Sequence, residues 1–262
     1  LSTYVFKEMI NLRELYLLRM TIDDITLNSL IASAPSLEIL KLEKPNWDPK
    51  RLQIYNHPKL KSILFHCISV KEFIQIKGAR SLETLEFLCS TGGEPRVETS
   101  TSTFRLLKIQ YHSGRKASFL NNLISASPCL EELYLSEISE VDGLNIVNPS
   151  VQRVTLRRSR LYFPLRGKNT IRIDAPKLVR YECHESIGCL PSLSFATGLE
   201  ASDCCVAYLS SYAVAITQEE FIDVKCFLAK LRPQFRFISV SLFSSRDRED
   251  EVLIINLNPR VC

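Results

Sequence analysis

Glycine is scarce in this chain, with eight residues in 262. Glycine-rich loops that cradle phosphate are therefore not expected, and neither G-x-x-x-x-G-K-S/T nor G-x-G-x-x-G occurs. Apolar runs approaching the length of a membrane span are absent, as is a signal-peptide pattern. The one Asn-x-Ser candidate is blocked by proline, because Asn148 is followed by Pro149. The formal charge is only +4, too small to imply nucleic acid, whose sequence-independent binding needs a concentrated basic footprint. The nine cysteines are odd in number and contain no C-x-x-C pair. Reduced thiols in a cytoplasmic or nuclear protein account for them most simply.

What the chain does have is a spacing. Leu-x-x-Leu-x-Leu, or an apolar variant of it, returns eight times at intervals of 21 to 27 residues. The triplets are Leu12, Leu15, Leu17; Leu37, Leu40, Leu42; Leu60, Ile63, Phe65; Leu82, Leu85, Phe87; Phe104, Leu107, Ile109; Leu130, Leu133, Leu135; Val151, Val154, Leu156; and, most loosely, Leu178, Tyr181, Cys183. This is the signature of a leucine-rich repeat. A second self-similarity supports it. Residues 30–42 align without gaps on residues 123–135, with seven of thirteen positions identical. In each copy a helical stretch meets a proline, which cannot continue it, and a short strand follows.

Between the triplet strands two connectors alternate. Helical spacing covers Thr21 to Ser33 and Ala117 to Ser127, whereas 52–54, 144–146 and 171–173 read as short strands, each followed by a proline turn. Cys89 to Thr103, with Gly92, Gly93 and Pro95, reads as an exposed loop, and 244–251 as a hairpin tip. The expected fold is an irregular α/β leucine-rich-repeat solenoid over 1–200, its curved parallel sheet presenting a concave face. A terminal unit over 201–262 closes it, with a helix at 218–231 and strands at about 235–243 and 252–257. The chain opens within amphipathic sequence, so a natural N-terminus upstream of Leu1 is expected.

The elements at 30–42 and 123–135, the Ile-x-Ile-x-Ala-Pro-x-Leu stretch at 171–178, and the Glu-Glu-Phe-x-x-x-Lys-x-Phe-Leu helix at 219–228 resemble the repeat region of plant F-box proteins. In that family an F-box docks the SCF adaptor and the repeats hold a substrate for ubiquitin transfer. No F-box motif is seen in these residues. The resemblance implies a substrate-recognition region of an SCF-type E3 ubiquitin ligase, reaching adaptor and cullin only through an upstream F-box. The alternative is the ligand-sensing repeat region of a cytoplasmic plant immune receptor.

Side chains alternate across a strand, so residues between the triplet positions point outward. The candidate protein-binding residues are Glu14, Tyr16, Lys41, Glu43, Leu64, His66, Glu86, Leu88, Lys108, Gln110, Glu132, Tyr134, Arg153, Arg157, Arg180 and Glu182. Eight strands about 4.8 Å apart give a face on the order of 35 Å long, suited to a protein or peptide. A basic run of Arg153, Arg157, Arg158, Arg160, Arg166, Lys168 and Arg172, answered by Asp174, suits either an acidic or phosphorylated ligand or a solvated edge. Cys183, His184, Cys189, Cys204 and Cys205 form the sole local group of potential metal ligands, at spacings that fit zinc poorly. His57, His66, His112 and His184 are far apart and no catalytic motif is present. Neither an enzyme, a cofactor, a metal, nucleic acid nor a membrane is expected.

Overall fold

The structure is a computed structural model that describes residues 9–43, 50–66, 73–89, 96–99, 104–111, 117–137, 142–157, 170–187, 190–196, 202–211, 217–231, 234–244 and 253–257. It forms two compact units. Unit 1 comprises Leu1–Arg115 with Ala126–Leu130, and unit 2 comprises Lys116–Ser125 with Glu131–Cys262.

In unit 1 the triplets become β1 (Glu14–Leu18), β2 (Ile39–Glu43), β4 (Ser62–His66), β6 (Thr84–Cys89) and β8 (Leu106–Tyr111), all parallel and paired in that order. The connectors are helix α1 (Asp24–Ala32) and strands β3 (Arg51–Tyr55), β5 (Phe73–Lys77) and β7 (Arg96–Thr99), which pair into a second parallel sheet. Unit 2 repeats the plan. Its main sheet runs β9 (Glu132–Ser136), β11 (Arg153–Arg157), β13 (Arg180–Ser186), β15 (Ser202–Ser211) and β16 (Phe235–Ser244), again parallel, with β17 (Leu253–Leu257) antiparallel on β16. Helix α2 (Ala117–Ser125) and strands β10 (Leu144–Val147), β12 (Thr170–Asp174) and β14 (Ser192–Phe195) make the connecting layer, and helix α3 (Gln218–Leu231) lies between β15 and β16 in sequence. The fold is thus an irregular leucine-rich-repeat solenoid of parallel sheet, with a helix-strand unit at its C-terminal end.

The Cys89 to Thr103 stretch differs from expectation, because it contains β7 rather than only a loop. Strand β5 was likewise not distinguished by sequence. Neither is followed by the proline that marks the turn after β3 and β10, and the pairing in each comes from a neighbouring strand rather than from local signal.

Every triplet from Leu37 to Cys183 is at most 3% exposed. Leu12, Leu15 and Leu17 are only half-buried, as fits β1 at the outer edge of its sheet. Fully burying one such side chain is worth about 1.5–3 kcal/mol, so the repeated inward row is the dominant source of stability. Phe65 and Phe87 meet with ring centroids 5.2 Å apart in unit 1, and Tyr181, Phe195 and Phe235 form a three-ring cluster in unit 2.

Register between repeats is fixed before each strand begins. The Glu38 carbonyl accepts from both Lys61 N and Ser62 N, Lys61 from Glu83 N and Thr84 N, and Gln152 from Val179 N and Arg180 N. In unit 1 this row alternates in charge through Arg13, Glu38, Lys61, Glu83 and Arg105, with Lys61 Nζ 2.8 Å from Glu38 Oε2 and Arg13 Nε 3.8 Å from Glu38 Oε1. Opposite charges on neighbouring strands favour this register over a slipped one.

Where a helix replaces a connector strand, an asparagine completes the small sheet's edge. Asn28 of α1 donates from Nδ2 to Arg51 O and accepts at Oδ1 from Gln53 N. Asn121 of α2 does the same with Gly143 O and Asn145 N. Each amide imitates a backbone peptide and takes up strand groups that have no strand partner on that side. The tight turn after β5 needs glycine. Gly78 has φ +74°, and a Cβ there would lie 3.3 Å from the backbone of Asn56.

Candidate protein-binding face

Strand alternation puts the sixteen candidate residues on one side of the main-sheet strands, half-buried or exposed, while their neighbours are inward. Ser136, also at an outward position, is buried at 7%. The two units carry different chemistry on this face.

In unit 1 the register rows are Tyr16, Lys41, Leu64, Glu86, Lys108 and Leu18, Glu43, His66, Leu88, Gln110. The charges are locally compensated. Lys41 Nζ is 3.1 Å from Glu43 Oε2, His66 Nδ1 is 3.2 Å from Glu43 Oε1, and Lys108 Nζ is 3.5 Å from Glu86 Oε2. Tyr16 donates its hydroxyl to Glu14 Oε2 at 3.0 Å, and that bond raises the phenol's pKa. Around these pairs lie Leu18, Ile39, Leu64, Leu88 and Leu106, an aliphatic surface broken by charge.

In unit 2 the rows are Glu132, Arg153, Arg180; Tyr134, Thr155, Glu182, Val206; and Ser136, Arg157, His184, Tyr208. Arg153 Nη1 binds Glu132 Oε1 at 2.6 Å. Glu182 is the hub. Its Oε1 takes His184 Nε2 at 2.9 Å and lies 3.6 Å from Arg157 Nη2, and its Oε2 accepts from Arg180 Nη2 at 3.1 Å. His184 stacks on Tyr208 with centroids 4.3 Å apart and rings 19° from parallel, and the Arg157 guanidinium lies 5.5 Å from the Tyr134 ring centroid.

Burial lowers the pKa of His184, a lowering that the hydrogen bond to Glu182 opposes and the Arg157 charge adds to. The ring is therefore neutral at neutral pH, and its Nε2–H tautomer donates to Glu182. Burial acts to raise the Glu182 carboxyl, but the His184 hydrogen bond and the Arg180 charge outweigh it and leave its pKa below the usual value.

One sequence reading changes. Arg172 lies on β12 in the connecting sheet, paired with Asp174 at 3.7 Å, and so does not share a face with Arg153 and Arg157. Arg158, Arg160, Arg166 and Lys168 lie outside the described residues. Cys183 and His184 point to opposite sides of β13. Cys183 and Cys205 are buried inward, where desolvation and mutual proximity push the Cys183 thiol well above its usual pKa. Cys189 and the Cys204 side chain are outside the described residues, and among those described no group of three potential ligands surrounds a common point.

Tyr208 escaped sequence reasoning because the Leu-rich triplet fades after residue 200. The signal was the weaker alternation of Cys205, Ala207 and Leu209, each 0% exposed, which places Tyr208 outward between the last two.

Residues 6–106 match the family model described as FBD-associated F-box protein At5g56370, LRR repeats. This stretch is similar to the leucine-rich-repeat region of that family. The match covers less than half of the chain and includes unit 1's outward face from Glu14 to Leu106. Neither curated proteins nor solved structures gave a match. Repeats similar to these, stacked on a parallel-sheet solenoid, make a protein-interaction module. Among the described residues no helix is long and apolar enough to cross a membrane.

Proposed function

We propose that this chain is the substrate-recognition region of an SCF-type E3 ubiquitin ligase receptor, working inside the cell. It captures a protein on the outward faces of its main-sheet strands and leaves ubiquitin transfer to other subunits. The observation that carries the reading is the match of residues 6–106 to repeats of an F-box-associated family. The outward faces support it, since tyrosine and arginine are enriched in protein interfaces. The chain itself performs no chemistry in this reading, and it needs no cofactor.

Immunoprecipitation of the native gene product, with whatever is encoded upstream of Leu1, tests the assignment. Recovery of the SCF adaptor and a cullin is expected. A nucleotide-switch domain upstream, with no adaptor recovered, would replace the ligase reading with that of an immune-receptor sensor.

A further inference from the structure

Among the described residues of β9, β11 and β13, the outward face of unit 2 carries three arginines, Arg153, Arg157 and Arg180, against two glutamates, Glu132 and Glu182. Arg153 has Glu132 to itself at 2.6 Å. Arg157 and Arg180 share Glu182, whose Oε1 is already taken by His184. Arg157 has the longest carboxylate contact of the three, 3.6 Å, although its side chain is 46% exposed against 59% for Arg153 and 50% for Arg180, and its guanidinium lies 5.5 Å from the Tyr134 ring centroid. A guanidinium presents a planar fork of donors that pairs two-to-two with a carboxylate, and this one has only a long contact to fill it. The aromatic surfaces on either side are Tyr134 on β9 and the His184–Tyr208 stack on β13 and β15.

We propose that the outward face of unit 2 docks an extended acidic peptide segment of a partner protein, with one of its carboxylates seated between Arg157 and Arg180. This rests on the outward face being the binding surface, and it goes further by naming the chemistry of the occupant. The surplus at the cluster is a single positive charge, which suits a monoanionic carboxylate; a phosphate dianion would leave a negative surplus in a half-buried site. Tyr134 and Tyr208 receive the apolar parts of flanking residues, rigid aromatic area that costs little entropy to use. Glu182 keeps both arginines oriented before the ligand arrives, which lowers the cost of binding.

The test is a positional array of fluorescent nonapeptides probed with the full chain. Enrichment of Asp or Glu at one position is expected, with roughly tenfold weaker binding in Arg157→Gln and little change in Lys108→Gln on unit 1. The double reversal Arg157→Glu and Arg180→Glu is expected to switch the preference to basic peptides, a result that mere loss of folding cannot give. Several outcomes would overturn the proposal: no binding of acidic peptides, enrichment indifferent to the arginine variants, or preference for phosphoserine over Glu at the enriched position. Peptide binding that depends instead on Leu64 and Leu88 would overturn it too, while sparing the broader reading of the outward face. Binding unaffected by substitutions on either outward face would remove both.

Discussion

The outward faces of units 1 and 2 are built on the same parallel ladder but differ in content. Among the described residues, unit 1 shows five aliphatic side chains and lysines that each have a nearby carboxylate; unit 2 shows Val206 and the exposed Phe237, with arginine, tyrosine and histidine organised around Glu182. The inward rows hardly differ, being Leu, Ile, Phe and Val throughout until Tyr181 and Cys183. Stacked repeats explain the asymmetry. Inward positions must fill a dry layer against the neighbouring turns, whereas outward positions meet solvent and are free to take the chemistry of a ligand.

The largest effects that would sharpen this contrast are in the shared inward layer. Leu85→Ala in unit 1 and Leu135→Ala in unit 2 are each expected to cost about 2–5 kcal/mol in chemical denaturation. The outward changes Leu64→Ala and Thr155→Ala should stay within about 0.5 kcal/mol. Equal losses at inward and outward positions would break the comparison. Gly78→Ala is expected to cost about 1–2 kcal/mol, from the positive φ and the close backbone of Asn56. The strand-mimicking asparagines come next. Asn28→Ala and Asn121→Ala should each lose roughly 0.5–1.5 kcal/mol by removing two bonds to the strand edge, and Asn→Asp should not fully rescue them because a carboxylate cannot donate.

The smallest effect is a pH dependence at the turn between β3 and β4 of unit 1. His57 is 1% exposed, bonded at Nδ1 to Ala34 O, and burial lowers its pKa. Below its unfolded value of 6.5 the unfolded chain takes up a proton that the folded chain resists, so stability falls as pH drops below 6.5. Asn148 holds the same place before a proline in unit 2 and bonds Ile124 O without titrating. His57→Asn should therefore flatten the acid side of a stability curve between pH 7 and 5. An unchanged slope would assign the acid loss elsewhere, His184 being the next group with a lowered pKa.

The solenoid, its inward rows and its C-terminal helix-strand end were legible because a period of 21 to 27 residues forces one class of side chain to recur. The outward position of the candidate residues followed from alternation. Less legible were β5 and β7, whose pairing depends on neighbours; the asparagine edge groups, which sit two residues before the aligned segments at Leu30 and Leu123; and the Glu182 hub, whose members come from separate strands. Arg172 misled because adjacency in sequence crossed from the main sheet to the connecting one. Chemistry assembled across repeats depends on register, and register appears only when the turns are stacked.

In the proposed function the main-sheet outward faces, and not the connecting sheets, bind the partner. Hydroxyl-radical footprinting of the native gene product, alone and with its co-purified partner, reads this directly through built-in tyrosines. Protection of Tyr16, Tyr134 or Tyr208 with Tyr55 of β3 unchanged is the predicted result. Protection of Tyr55 and Phe73 on the connecting sheet, with the main-sheet tyrosines unchanged, would contradict it.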